Sequence, residues 1–122
     1  MKTVEYESNY FIRGSEAPID NLKPGLQRQI LGYNRDLMLV KVFFGPETVG
    51  LRPPMHTHHH SQSSYIVSGK FEFHCGNHEV VVLGTGDSYY VEPDMPHEVY
   101  CLEPGIIIDS FNPVREDFLS NA

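Results

Sequence analysis

The sequence predicts an all-β protein: one antiparallel sandwich or barrel with a short C-terminal helix. Three observations predict it. Short aliphatic and aromatic runs recur at roughly 8–12-residue spacing, Gly, Pro and Asn punctuate them, and helical periodicity is scarce. The chain has 122 residues, 40% of them apolar, which is enough for one sizeable core and little more.

The elements follow in order. Leu37 to Phe44 is aliphatic and aromatic and ends at Gly45-Pro46. Ser64 to Val67 runs into Ser68-Gly69, and Phe71 to Cys75 alternates until Gly76-Asn77, a pair suited to the positive φ of a tight hairpin. Val80 to Leu83 stops at Gly84-Thr85-Gly86-Asp87, and Tyr89 to Glu92 stops at Pro93. Val99 to Leu102 stops at Glu103-Pro104-Gly105, and Ile106 to Phe111 stops at Asn112-Pro113. The terminal helix is expected to take Asn112 as N-cap and Pro113 as its first residue, with Glu116 and Asp117 in the first turn. Pro18 and Pro24 break any long element in residues 1–25, which are expected to form an edge strand or a dimer arm beside a barrel over 26–122.

The formal net charge is -7 with His neutral, so clustered Lys and Arg for nucleic acid are missing. A small anionic substrate stays open, because one Arg beside a metal can reverse the local potential. No apolar run reaches membrane-spanning length, and the start, Met1 to Glu7, is charged where a secretory signal would be apolar. Cys75 and Cys101 lack Cys-x-x-Cys spacing, so they read as reduced thiols of a cytoplasmic protein.

Seven histidines are present, four of them within His56-Thr57-His58-His59-His60. On an extended strand, residues i and i+2 share a face about 6.6 Å apart, so His56 and His58 can converge on one ion while Thr57 points away. Gln62 is in phase with them beyond a short bend, and His97 follows Pro93-Asp94-Met95-Pro96, where the prolines fix the start of a strand. This takes two ligands from one hairpin arm, one from its partner and one from a distant strand, which a barrel interior can bring together. A lone histidine is more often an ordinary surface or core residue than a ligand. His60 is in phase with the set, as a pocket wall or a hydrogen-bond partner of a ligand. His59 takes no assigned role, and His74 and His78 are expected to face solvent.

Gly50, His56, His58, Gln62 and Gly69 stand at the spacing of the first cupin motif, G-x5-H-x-H-x3-E-x6-G. Gly86-Asp87, Pro93, Pro96 and His97 resemble the second. The resemblance implies a double-stranded β-helix, or jelly-roll barrel, with one divalent metal on His56, His58, Gln62 and His97. Imidazole-rich sites suit Zn, Ni, Fe or Cu, and Mn also stays in the set. Gln stands where the motif has Glu, so four neutral donors leave the divalent charge uncompensated by direct ligands, which favours Lewis-acid work.

Beyond the motifs, Leu37 to Val42, Tyr65 to Phe73, Gly86 to Tyr90 and Ile108 to Leu119 resemble the KdgF group of small cupins, over roughly residues 26–119. That resemblance implies ring opening and ketonisation of 4,5-unsaturated uronates, or of a related sugar acid. By it Asp109 moves the proton, Arg115 clamps a carboxylate, Phe111 packs against the sugar, and the protein is a homodimer. Asp109 and Phe111 share a strand face, so an inward Phe111 makes Asp109 a charge inside the barrel. On composition alone Asp109 would face solvent, and Arg115-Glu116-Asp117 would be a charged helix end. Ser61, Ser63 and Ser64 replace the acidic or Gln residues of the group at the pocket mouth. Two other readings share the ligand set: an Fe-dependent dioxygenase, and a sugar- or metal-binding module without turnover.

Overall fold

The computed structural model describes residues 6–119. Its strands are β1 (Asp20–Lys23), β2 (Leu26–Tyr33), β3 (Met38–Phe44), β4 (Ser61–Cys75), β5 (Val81–Gly84), β6 (Ser88–Val91) and β7 (His97–Asn112). A 3-10 turn covers Pro46–Thr48, and the one short helix, α1, is Glu116–Leu119. The strands form a sheet in the order β1-β2-β3-β7-β4-β5, with β6 paired to the first part of β4 (Gln62 to Tyr65) and β5 to a later part (Lys70 to Phe73), and every pairing is antiparallel. No helix among the described residues is long and apolar enough to cross a membrane.

Two expected strand breaks are corrected. Ser68-Gly69 and Glu103-Pro104-Gly105 do not end strands; they lie inside the long β4 and β7, which stay paired from Ser61↔Asn112 to Cys75↔His97. Both strands bend there together, over a run of register shifts between Ile66 and Phe71. An extra residue at a bulge increases twist and moves side chains to the other face. Gln62, Ser64 and Ile66 are accordingly buried before the bend, and Phe71, Phe73 and Cys75 after it. Gly69 (φ +93°) and Gly105 permit the close approach. A Cβ at Gly69 would lie 2.8 Å from the carbonyl oxygens of Glu103 and Pro104, and one at Gly105 would run into that of Ser68.

The bend folds the sheet over itself into the barrel. Phe44 of β3 meets Phe71 edge to face at 4.9 Å, and Tyr89 of β6 stacks on Phe73 at 4.3 Å. Ile66, Phe71, Cys101 and Ile107 close the middle of the core. Met38, Val40, Phe111 and Val114 fill one end, and Phe73, Cys75, Tyr89 and Val91 fill the other layer. Cys75 and Cys101 are free and buried. They lie on neighbouring strands, but Cys101 faces Phe71, four residues from Cys75, which is roughly 14 Å along the strand and beyond bridging distance.

The C-terminal helix starts later than expected. Asn112 is not its N-cap but the last residue of β7, opposite Ser61, and its side-chain amide donates to the carbonyl of Asp36. The ladder holds this residue extended, so α1 begins at Glu116. The Gly76-Asn77 turn is also wider than a two-residue hairpin: pairing resumes only at Phe73↔Val81, and only Gly76 of the two has positive φ (52°). Residues 6–19 cover the outside of β2. Ser8 N–H donates to the Tyr33 carbonyl, and the buried Gln29 amide donates to the carbonyls of Gly14 and Ala17.

Candidate metal centre

His56, His58 and His97 converge, with ligand nitrogens all within 4.8 Å of one another. Backbone geometry places the first and the last. His56 and His97 form an isolated antiparallel bridge, exchanging N–H···O bonds of 3.0 and 2.9 Å. Pro93 to Pro96 turn the chain through Asp94, whose φ is +65° and whose N–H donates to the His58 carbonyl over 2.8 Å. β7 then starts at His97. The strand expected under His56 and His58 is corrected: His56 forms only an isolated bridge, and His58 lies in the irregular lead into β4. Gln62 is the second residue of β4 itself, so it belongs to the same arm and not to a hairpin partner.

Each ring is oriented by its Nδ1. His58 Nδ1 lies 3.0 Å from the His60 carbonyl, His97 Nδ1 lies 2.8 Å from the Met95 carbonyl, and His56 Nδ1 lies 3.3 Å from Glu98 Oε2. A ring that donates through Nδ1 presents a lone pair at Nε2. His97 Nε2 is buried and has no partner. His58 Nε2 lies 3.0 Å from Gln62 Oε1, while the Gln62 amide donates to Ser64 Oγ (3.1 Å) and Asp109 Oδ1 (3.3 Å). An imidazole lone pair facing an amide oxygen is two acceptors with no proton between them. A cation resolves both that clash and the orphaned His97 nitrogen, so the residues fit a divalent metal.

The electrostatics favour the neutral rings of His58 and His97. Burial lowers the His58 pKa, and burial, with His56 and His58 nearby, pushes His97 down to about 4. Asp109, inward on β7 beside Phe111, moves the other way: burial raises it to about 6 against the hydrogen bonds from Ser64 and Gln62. The Ser64 hydroxyl donates to Asp109 Oδ1 over 2.6 Å. Burial and the Asp109 charge raise Tyr89, with Ser64 and Gln62 acting against them.

Arg115 stands over the rings of Phe118 (4.3 Å) and Phe111 (5.1 Å), with its fork on Asp117 at 3.1 and 2.9 Å. Phe111 packs edge-on against His58 at 5.8 Å. His60 is buried behind the site and holds His58 through its carbonyl; His59 lies tilted against the His60 ring at 4.1 Å and is exposed. His78 is exposed, but His74 is half-buried and pairs with Glu72 at 2.7 Å, a correction to its expected solvent position. Ser64, expected only at the pocket mouth, bonds Asp109 directly; nothing in the sequence points Tyr89 or Glu98 at the centre. A cavity of about 660 Å³, lined by Pro24, Gly25, Glu47 and Gly105 among others, contains none of these residues.

Comparison with known proteins agrees with this geometry. The cupin domain family matches residues 47–111. The pectin degradation protein KdgF of Dickeya dadantii (strain 3937) is 38% identical over 112 residues, covering 90% of this chain and 97% of that protein. The match therefore extends into the N-terminal segment, beyond the 26–119 of the motif resemblance. An RmlC-like cupin from Shewanella frigidimarina NCIMB 400 superposes with a TM-score of 0.84 at 41% identity, over 93% of this chain and 98% of that one. KdgF from Halomonas sp. superposes with a TM-score of 0.81 at 33% identity, over 92% and 100%.

Proposed function

Since the chain belongs to the cupin family, in its KdgF group, we propose that it is a metal-dependent enzyme of uronate breakdown that promotes ring opening and ketonisation of 4,5-unsaturated uronates or a related sugar acid. The single observation that carries the reading is the placement of Asp109. A half-buried carboxylate with its pKa raised to about 6 sits one hydrogen bond behind Gln62, beside the three histidines. A pKa near the working pH is what a proton carrier needs.

His56, His58, His97 and Gln62 Oε1 would hold the ion. When bound, a divalent cation supplies Lewis acidity toward the sugar's carboxylate and ring oxygens. Asp109 moves the proton, and its Oδ1 is held by Ser64 and Gln62 so that the carboxylate cannot turn away. Phe111 supplies an apolar wall against the sugar ring. Arg115, fixed by Phe111 and Phe118, offers its fork to a substrate carboxylate in exchange for Asp117, whose side chain is 60% exposed.

The test is incubation of the metal-loaded protein with lyase-generated unsaturated galacturonate and mannuronate. Ultraviolet absorbance of the unsaturated sugar should fall faster than the spontaneous rate. Asp109→Ala should lower turnover by about 10²–10⁴-fold, and His97→Ala should abolish it. Fe(II)-dependent oxygen uptake, or sugar-acid binding with no conversion, would overturn the reading.

A further inference from the structure

We propose that Glu98 is the positioning carboxylate of this centre: it locks His56 in the Nδ1–H form, so that Nε2 is the ligating atom, and supplies one of the negative charges that the direct ligands lack. The inference rests on the metal-centre part of the reading above.

Of the three acceptors that hold the ligand rings by Nδ1, two are neutral carbonyls, those of Met95 and His60. Only Glu98, 3.3 Å from His56 Nδ1, is an anion. Its side chain is 16% exposed, and it lines a cavity of about 260 Å³ whose wall is mostly apolar, with Val42, Phe44, Val99 and Cys101, and also carries Lys23 and Thr48. A carboxylate largely shielded from water beside a mostly apolar wall calls for a cation. Among the described residues no Lys or Arg lies within ion-pair distance of it; its partners are His56 and the backbone N–H of Val99, which donates to Oε1 over 3.0 Å. The cation that answers Glu98 is therefore reached through His56.

The charge balance points the same way. Three imidazoles and an amide leave a dication uncompensated. Glu98 stands behind His56 as Asp109 stands behind Gln62, each one hydrogen bond removed from the ion. Two carboxylates offset the two positive charges while the ligands themselves stay neutral. A carboxylate behind a ligating His also fixes its tautomer and raises its basicity, an effect worth about 10–100-fold in metal affinity.

Zn²⁺ and Ni²⁺ dissociation constants from chelator competition, with the full chain and its Glu98→Gln and Glu98→Ala variants, test this. Glu98→Ala should bind about 10–100-fold more weakly. Glu98→Gln, which keeps an acceptor for Nδ1 and loses the charge, should fall in between. The ¹⁵N shifts of metal-free wild type should show His56 as the Nδ1–H tautomer, a readout that needs no substitution and stands even if a variant fails to fold. Wild-type affinity in both variants, or an Nε2–H His56 in the wild type, would overturn the role. Absence of stoichiometric metal binding by the wild type would overturn the metal centre and this role together. Failure to turn over any uronate leaves both measurements intact, so the two ideas fail separately.

Discussion

Ser64 and Asp109 face each other across the β4–β7 ladder, and the Ser64 hydroxyl donates to Asp109 Oδ1 over 2.6 Å. That bond stabilises the charged carboxylate against the burial that raises its pKa to about 6. Ser64→Ala should therefore raise the Asp109 pKa further. Carbon NMR titration of the carboxyl, or the matching limb of the pH–rate profile, should move to higher pH; a fixed or lower value would remove Ser64 from the proton-handling group.

Asp109 should also cost stability when no metal is bound. Its folded pKa, about 6, lies above the ordinary 3.8, so the folded state holds the proton more tightly than the unfolded one. Stability linked to this group is complete below about pH 4 and is lost as pH rises through about 6. Metal-free Asp109→Asn should melt higher than metal-free wild type. The gap should open between pH 4 and 6 and level off above it, as thermal melts across that range would show.

Gln62→Glu restores the carboxylate of the general motif but places it where the amide now donates to Asp109 over 3.3 Å. Metal affinity should rise, because a charged oxygen replaces a neutral one. Turnover should fall, because a like charge beside Asp109 raises its pKa and the donor is gone. Chelator competition and steady-state rates measured together would show the two effects moving in opposite directions.

The loop that delivers His56 is tied down from outside the barrel. Arg52 donates to Glu72 over 2.8 Å, and the Tyr100 hydroxyl donates to the Pro53 carbonyl over 2.9 Å. The Arg52 and His74 hydrogen bonds hold Glu72 down at about 2. Its contribution is thus present above the ordinary 4.5 and lost as pH falls toward 2. Arg52→Ala should melt below wild type at pH 7, with the difference vanishing on acidification through that window. Its metal affinity should drop a few-fold as His56 loosens.

Gly105→Ala tests the bend. The new Cβ meets the Ser68 carbonyl oxygen, a backbone atom that cannot turn aside. The expected cost is about 1–3 kcal/mol, read as a lower denaturant midpoint with an unchanged slope. An unchanged midpoint would mean that the two long strands need not run so close.

Sequence order alone carried the strand-rich class, the turn residues, and the spacing of His56, His58, Gln62 and His97. These are local properties: alternation, Gly and Pro placement, and two-residue phase report on a strand wherever it lies. The same locality explains the misplaced breaks. Gly69 and Gly105 read as strand ends because a glycine signals a turn and a bulge alike. Asn112 and Pro113 read as a helix start because nothing nearby shows that Ser61 pairs with Asn112.

What only the tertiary structure decided is which groups share the space around the histidines. Glu98 lies 42 residues from His56, and Asp109 lies 45 from Ser64. Their hydrogen bonds exist because the β4–β7 ladder sets Ser64 opposite Asp109 and the His56–His97 bridge brings His56 beside Glu98. The ligand set is written in one-dimensional spacing. The charge around it, and hence the raised carboxylate and the tautomer of His56, depends on distances that only the closed barrel sets.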